Sequence, residues 1–266
     1  MFIRFEGFKP DLTARHETLF HTANGYLGVR ACPEEGAPSG VLSIRGAYIN
    51  AFYDTEPICY AEKLYGFPET AEHIVNITDV QGMELYLGEE RFDPLKGLLS
   101  HSRILDMENG ISIRHIRFAT REGKRLDLII KRMASFCLKN LFLMEYSISS
   151  TDYSGPVRLV SRQDGSVKSY SDSNDPRGSS SGNRTLAVTN IQRTYDAALV
   201  ECKTTRSDFT IASAVRHTSS VPAAMDIKLG KSGTETEITF ELAMGQTAVV
   251  LKNCIFTDSR RTATPS

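Results

Sequence analysis

The chain has 266 residues, of which 41% are hydrophobic, so it is long enough to bury the core of one large domain or two small ones. Its 31 basic and 32 acidic side chains give a formal net charge of -1, which argues against a nucleic-acid-binding protein with a basic face. No run of about 18 apolar residues occurs, so we expect neither a membrane-spanning helix nor a membrane partner.

The N-terminal sequence and the spacing of the cysteines favour a cytoplasmic protein. The first residues, Met1 to Gly7, carry no signal-peptide pattern. The five cysteines are widely spaced and include no Cys-x-x-Cys pair, which argues against a zinc ribbon and against a thioredoxin-type pair. We therefore expect reduced thiols in a cytoplasmic protein.

Taken in chain order, the sequence predicts one short helix followed by many strands. The helix candidate runs from Ala14 to Thr22, and residues 31–40, which are rich in Pro and Gly, predict a loop. From about residue 83 to the end, apolar and polar residues alternate as in half-buried strands. The clearest strand segments are residues 111–118, 125–132, 141–148, 209–215, 236–242 and 247–252.

The connections between these segments indicate the fold class. Turn-forming pairs such as Asn109-Gly110 and Ser232-Gly233 follow closely on the strands. Many strands joined by short turns favour an all-β fold, a large antiparallel β-sandwich with few short helices, over βαβ units. Residues 171–185 contain no aliphatic or aromatic side chain, so we expect them to form a long exposed loop.

No set of residues in the sequence forms a convincing catalytic site. Glycoside cleavage needs a pair of carboxylates, or one acid and an external nucleophile such as phosphate. Glu34-Glu35 and Glu89-Glu90 are adjacent pairs, and adjacent strand residues point to opposite faces, so we interpret both as solvated surface charge. The six histidines show no metal-ligand spacing, so no metal site is expected. Gly230-Lys231-Ser232 is similar to the end of a phosphate-binding loop, but Met225 replaces its first glycine, and a hairpin turn is the better interpretation.

The segment Glu17-Thr-Leu-Phe-His-Thr-Ala-Asn24-Gly25-Tyr26-Leu27-Gly28-Val29-Arg30 resembles the opening motif of glycoside hydrolase family 65. That family comprises the maltose, kojibiose and trehalose phosphorylases and their hydrolase relatives. Ala31 departs from the glycine that usually follows Arg30 in the motif, and the chain has no Trp. Further strings resemble the family in the same order along nearly the whole chain: Gly46-Ala-Tyr48-Ile-Asn50-Ala-Phe-Tyr53, Pro57-Ile-Cys-Tyr60-Ala-Glu62, Ile74-Val-Asn76-Ile, Arg103-Ile-Leu105-Asp106-Met107, Arg132-Met-Ala-Ser135 and Thr257-Asp-Ser259.

The resemblance implies a galactose-mutarotase-like super-sandwich over residues 1–256, with residues 257–266 beginning a linker to a helical-barrel catalytic domain that this chain does not include. The chain would then be the non-catalytic N-terminal domain of an α-glucoside disaccharide phosphorylase or hydrolase, inactive alone. In the parent enzyme, a glutamate of the barrel would protonate the glycosidic oxygen, and phosphate or water would attack with inversion. The implied partners are the barrel, an α-linked disaccharide, phosphate and a second copy in a homodimer. No cofactor is implied.

Five residues are candidates for contact with the barrel or its sugar pocket: Asn24, Tyr26, Arg30, Tyr48 and Tyr53. The glycines around them allow a sharp turn, from which Arg30 would present its five donors. Arg30 either pairs with an internal carboxylate or serves the barrel, and the tyrosines are either sugar-stacking surfaces or core residues. If the domain packs on a barrel, residues 24–30 and 48–53 should leave an exposed apolar patch in the isolated chain.

Two other classes of function remain open. One is a free-standing carbohydrate-binding β-sandwich module, although the lack of Trp argues against a surface that captures sugars by stacking. The other is a mutarotase-like sandwich enzyme that works with a His and a Glu. The sequence assigns no such pair.

Overall fold

A computed structural model describes residues 1–58, 60, 62, 64–170 and 186–262 of the chain. The loop predicted at residues 171–185 lies outside the described residues. Among the described residues, the regular structure consists of one 3-10 turn at Pro10–Leu12, one helix and a series of strands. The helix, α1, spans Thr13–Leu19.

The strands before residue 92 are short, whereas most of the later ones have eight residues or more. The short strands are β1 Phe2–Glu6, β2 Thr22–Ala23, β3 Leu27–Val29, β4 Ala47–Ile49, β5 Tyr53–Pro57, β6 Thr70–Ile74, β7 Met83–Leu87 and β8 Glu90–Arg91. The later strands are β9 Leu98–Asp106, β10 Ile111–Ala119, β11 Arg125–Ala134, β12 Leu141–Ser150, β13 Gly155–Asp164, β14 Leu186–Arg193, β15 Ala197–Thr204, β16 Thr210–Ser219, β17 Ala224–Leu229, β18 Gly233–Leu242 and β19 Thr247–Asp258.

The largest sheet has nine strands in the order β1-β9-β10-β11-β12-β19-β16-β15-β14, and every neighbouring pair is antiparallel. Successive residues of β11 and β12 alternate between buried and half-buried, because side chains of a strand point to opposite faces in turn. Ile116 lies opposite Leu128, and Leu128 lies opposite Ile148, so these three strands place apolar side chains side by side on the inner face.

A second sheet of five strands, ordered β17-β18-β13-β7-β8, covers that inner face. Leu85, Leu159 and Ile238 of this sheet belong to one buried cluster with Tyr146 and Val250 of the nine-stranded sheet. Residues of both sheets are therefore inside one core, and the architecture is a β-sandwich. Burial of these apolar side chains is the main favourable contribution to its stability.

Two small sheets complete the described structure. Strands β2, β3 and β4 form a three-stranded sheet, and Leu27, Val29 and Ile49 extend the sandwich core from it. Strands β5 and β6 pair with each other as a separate two-stranded hairpin. Both small sheets are built from the part of the chain in which the family resemblance is most concentrated.

The predicted all-β antiparallel sandwich with few short helices is confirmed. The predicted helix begins one residue earlier than expected and ends at Leu19 instead of Thr22, because residues 22–23 join a sheet. Residues 31–40 contain no strand or helix, and residues 230–232 connect the antiparallel pair β17 and β18, as predicted. The short strands before residue 83 were not predicted. The domain boundary after residue 256 stays a prediction; strand β19 continues to Asp258.

Candidate functional site

Asn24 ties the turn within the family-like motif to the connection between two central strands of the large sheet. Its side-chain oxygen accepts hydrogen bonds from the backbone amides of Tyr26 (3.0 Å) and Leu27 (2.9 Å). Its amide nitrogen donates to the carbonyls of Ser135 (2.6 Å) and Lys139 (2.9 Å) in the β11–β12 connection. Asn24 thus uses both ends of its side chain to hold the turn in place, as an Asx turn does.

Tyr26 fixes the same turn to the end of the last strand. Its ring is buried, and its hydroxyl donates to the Asp258 carboxylate at 2.8 Å. Arg260 also donates to Asp258, at 2.9 Å, and the Arg261 guanidinium lies 4.1 Å from the centre of the Tyr26 ring. Burial and the neighbouring carboxylate raise the pKa of Tyr26, so the phenol stays neutral and acts as a hydrogen-bond donor.

Arg30 points into the domain. Its Nε donates to the Ile44 carbonyl at 2.6 Å, and its Nη2 donates to the Ala14 carbonyl at 3.0 Å. The same Nη2 lies 3.6 Å from the carboxylate of Glu17, which is fully buried and also accepts from the Ile44 amide at 2.7 Å. The structure therefore shows the internal ion pair. A further role of Arg30 toward a barrel stays a prediction.

The other two candidate tyrosines differ in exposure, and Tyr48 lies opposite Gly28 in the three-stranded sheet. Tyr48 is half-buried in β4, and its ring lies over Gly46, where an added Cβ would come within 2.7 Å of it. Burial raises the pKa of Tyr48. Tyr53 opens β5 with 39% of its surface exposed, and its carbonyl accepts a bond from the Ser207 hydroxyl at 2.8 Å. Tyr53 is thus the most accessible of the three candidate tyrosines.

We expected residues 24–30 and 48–53 to leave an exposed apolar patch. This expectation is wrong for most of their apolar side chains. Tyr26, Leu27, Val29, Ile49 and Phe52 are all part of the buried core. The reason is that β2, β3 and β4 form a sheet that packs its apolar side onto the sandwich. Of the apolar side chains in these segments, Tyr53 is the large one that remains exposed.

The interpretation of Glu34-Glu35 as solvated surface charge is also wrong. The two residues are 2% and 7% exposed and lie in a turn, so the alternation of a strand does not apply to them. Arg114 of β10 donates to Glu34 at 2.7 Å and to Glu35 at 2.6 Å, and Arg132 of β11 donates to Glu34 through its Nε at 2.8 Å. The second pair remains near the surface, with Glu89 exposed and Glu90 half-buried.

A band of basic side chains on the inner face of the large sheet explains this burial. Arg132 and Lys252 both lie opposite Met144 on neighbouring strands, and Lys252 lies opposite His217. A buried cation needs a counterion or acceptors. Glu34 and Glu35 supply the counterions for the arginines, and the Lys252 ammonium donates to the carbonyls of Gly82 (3.2 Å) and Arg162 (3.0 Å).

The pKa values in this band follow from burial and from charge pairing. Burial alone would raise the pKa of Glu34, but Arg132 and Arg114 lower it to about 2. Burial lowers the pKa of Lys252 to about 8. Burial, with help from Arg114, lowers the pKa of His101 to about 3, and burial lowers that of His217 to about 3. At neutral pH, Glu34 is therefore charged, and His101 and His217 are neutral.

The geometry gives little support to acid–base chemistry in this band. A general acid must hold a proton near the working pH, and the low pKa of Glu34 removes it from that role. The His101 ring donates to the Gly7 carbonyl (3.0 Å) and accepts from Arg114 (3.1 Å), so both nitrogens are engaged. Within the described residues, no group of three or more His, Cys, Asp or Glu side chains could hold a metal ion.

Comparison with known proteins identifies the family. The model for "Glycosyl hydrolase family 65, N-terminal domain" matches residues 3–266. The chain belongs to glycosyl hydrolase family 65. It corresponds to the N-terminal domain of that family, as the motif between Glu17 and Arg30 indicated.

Relatives of this family-65 domain are considerably longer proteins. It is 38% identical over 248 residues to an α,α-trehalose phosphorylase of Geobacillus stearothermophilus, a match that covers 92% of this chain and 32% of that protein. It is 29% identical over 161 residues to a kojibiose phosphorylase of Halothermothrix orenii, with 60% of this chain and 19% of that protein covered. This chain thus spans about a third of the length of the first of these relatives.

A solved structure has the same fold. It belongs to a protein from the human microbiome assigned as a kojibiose phosphorylase, and it superposes with a TM-score of 0.82 over 97% of this chain and 32% of its own. The sequence identity of the two is 17%, so this likeness concerns the fold. In the described part of the family-65 domain, no helix has the length and apolarity to cross a bilayer.

The buried histidines predict how the stability of the domain depends on pH. Their folded-state pKa of about 3 lies below the ordinary value of 6.5, so the unfolded chain takes up protons first as the pH falls. The contribution of each histidine to the free energy of unfolding is therefore fully present above about pH 6.5. It is lost as the pH falls toward 3, by up to about 1.4 kcal/mol per pH unit for each histidine. Glu34 adds a further loss between about pH 4.5 and 2, because its folded-state pKa is also lowered.

Urea unfolding of the domain between pH 7.5 and 4 measures this slope. His217→Asn removes one titrating group and should make the dependence on pH shallower by up to about 1.4 kcal/mol per unit. His21→Asn, which removes an exposed ring, is the control for the substitution itself. A free energy of unfolding that stays constant from pH 6.5 to 4 would contradict the neutral buried state of these histidines.

The internal contacts of Arg30 predict a large effect of its removal. Arg30→Ala leaves the buried Glu17 carboxylate without its cation, and loss of one partner of a buried pair costs roughly 3–5 kcal/mol. Arg4→Ala removes an exposed arginine that is paired with exposed Glu6 and should change stability by no more than about 0.5 kcal/mol. Chemical denaturation of the two variants compares them directly. A loss as small for Arg30→Ala as for Arg4→Ala would mean that the internal pair is unimportant and would favour an interface role.

Proposed function

We propose that this domain is a non-catalytic part of a longer enzyme that cleaves an α-linked glucose disaccharide, in which it supports a C-terminal catalytic barrel. The observation that carries the proposal is the extent of the matches. They cover 92% of this chain but only 32% of the trehalose phosphorylase, so most of that relative lies outside the shared domain. The matching family model is named as the N-terminal domain, which supports a catalytic region that follows it in the longer polypeptide.

The chemistry of the buried band supports a non-catalytic role. Phosphorolysis or hydrolysis with inversion needs an acid that protonates the glycosidic oxygen and a nucleophile on the opposite side of the sugar. Glu34 and Glu35 are bound to arginines and held away from solvent, so neither is placed to give a proton to a sugar. We therefore assign the general acid to the barrel of the longer enzyme, with phosphate or water as the attacking group.

The relatives make phosphorolysis the first reaction to test. Two of them, 38% and 34% identical to this chain, are named α,α-trehalose phosphorylases, and a third is named a kojibiose phosphorylase. We propose that the parent enzyme uses phosphate as a substrate, with trehalose as the first candidate disaccharide and hydrolysis as the alternative. A homodimer, a cytoplasmic location and the lack of a cofactor are further parts of this proposal. The thiols of Cys32, Cys137 and Cys254 form no disulfide, which fits a reducing compartment.

We also propose that the five candidate residues define the side of the domain that faces the barrel. Asn24 and Tyr26 hold the turn next to Asp258 and Arg260, where the chain leaves its last strand. Arg30 and Tyr48 would act by keeping that side rigid, whereas Tyr53 is exposed enough to make direct contact. A carbohydrate-binding contribution of this side would come from Tyr53 and its neighbours.

The proposal predicts a clear difference in activity. The 266-residue chain, supplied with phosphate and trehalose, kojibiose or maltose, should release no glucose 1-phosphate above a protein-free blank. The longer polypeptide that contains the C-terminal region should release it from at least one of the three. Enzymatic detection of glucose 1-phosphate measures both. Release by the 266-residue chain that is lost in a single carboxylate variant, such as Glu35→Gln, would show that the chain itself is catalytic.

A further inference from the structure

The hairpin of β5 and β6 is attached to the rest of the domain by hydrogen bonds on one of its faces. In the described structure its two strands pair only with each other. Asp54, 1% exposed, accepts bonds from the backbone amides of Arg206 (3.2 Å) and Ser207 (2.8 Å) and from the Thr205 hydroxyl (2.9 Å). These bonds fasten one face of the hairpin to the β15–β16 connection and leave the other face open.

The open face and the tip of the hairpin carry large apolar side chains. Tyr53 and Ile74 lie opposite each other on the two strands and are 39% and 41% exposed. At the tip, Leu64 is 58% exposed, Tyr65 is fully exposed and Phe67 is 41% exposed. Single exposed apolar residues are common, but several together on one projecting element indicate an interaction surface.

The end of the domain lies at the base of this hairpin. After β19, Arg260 donates to the carbonyls of Asn50 (3.0 Å) and Ala51, and its guanidinium lies 5.4 Å from the ring centre of Phe52. Residues 50–52 lead directly into β5. The polypeptide that continues beyond the last strand therefore starts beside the hairpin.

We infer that the hairpin is a docking arm, and that its tip and open face (Tyr53, Leu64, Tyr65, Phe67 and Ile74) pack against the C-terminal two-thirds of the longer polypeptide. This inference rests on the proposed function, since it requires that region to exist. The trehalose phosphorylase and the solved structure are each about three times as long as this chain, so the longer polypeptide has a region large enough to cover the arm. Glu62 and Glu72 flank the apolar residues and are exposed, so the arm fits an apolar surface with a basic rim.

Hydrogen–deuterium exchange on the two forms of the protein tests this inference. Backbone amides of residues 64–69 should exchange at least about tenfold more slowly in the longer polypeptide than in the 266-residue chain. The tip of the β14–β15 turn at Tyr195, which is also fully exposed, should exchange equally in both and provides the internal control. Equal exchange rates of the amides of residues 64–69 in the longer polypeptide and in the 266-residue chain would contradict the proposal that the hairpin is a docking arm.

Matched variants separate docking from folding. Tyr65→Ser combined with Phe67→Ser should abolish the slower exchange in the longer polypeptide, while the unfolding midpoint of the 266-residue chain stays unchanged. Tyr195→Ser should have neither effect. Slower exchange that persists in the double variant would contradict the proposal. Slower exchange that appears only as the protein concentration rises would also contradict it, because the arm would then contact a second copy of the protein. Glucose 1-phosphate release by the same longer polypeptide tests the proposed function separately, because an active enzyme with an unprotected arm contradicts only the arm.

Discussion

The ion pairs of Glu34 with Arg114 and Arg132 are the interaction on which the arrangement of this domain depends. The inner face of the large sheet carries basic side chains that water cannot reach, and such charges are tolerated only with partners. The segment that crosses over them has no strand or helix of its own. Its backbone also contributes, because the Ala31 carbonyl accepts from Arg103 at 2.9 Å and the Cys32 carbonyl accepts from Arg132. The buried arginines of the sheet therefore fix the position of residues 31–36, which apolar packing alone would not do.

This constraint extends to the rest of the N-terminal half. Once residues 31–36 are held on the sheet, Arg45 reaches the Pro33 carbonyl (2.9 Å) and the Asp79 carboxylate (2.8 Å). Residues 43 and 44 then close over Glu17, the partner of Arg30. The family motif is thus connected to the sheet by a continuous series of hydrogen bonds and ion pairs. The same series orients the turn at Asn24 and the base of the hairpin at residues 50–52, which both lie beside the end of the last strand.

The sequence allowed the fold class to be predicted because alternation is a local signal. The segment at residues 236–242 shows it over its whole length, and the connections between strands contain typical turn residues. The short strands near the N-terminus have two to five residues and show no such pattern, so only the family resemblance indicated that this region is ordered. The role of Glu34 could not be read locally, since its partners are 80 and 98 residues away. A signal of the buried band was present in the sequence, because Arg114, Arg132 and Lys252 occupy inward positions of β10, β11 and β19.

A double-mutant cycle on Glu34 and Arg132 tests most directly whether this buried pair holds the domain together. Glu34→Gln and Arg132→Met should each destabilise the 266-residue chain by roughly 3–5 kcal/mol. The double variant should lose less than the sum of the two, by a coupling energy of about 1–3 kcal/mol. The exposed pair Arg125 and Asp152, 3.0 Å apart, provides the reference cycle, and we expect its coupling to be much smaller than that of the buried pair. Small, additive losses for Glu34 and Arg132 would contradict the account, because the loop would then be held by something other than the buried charges.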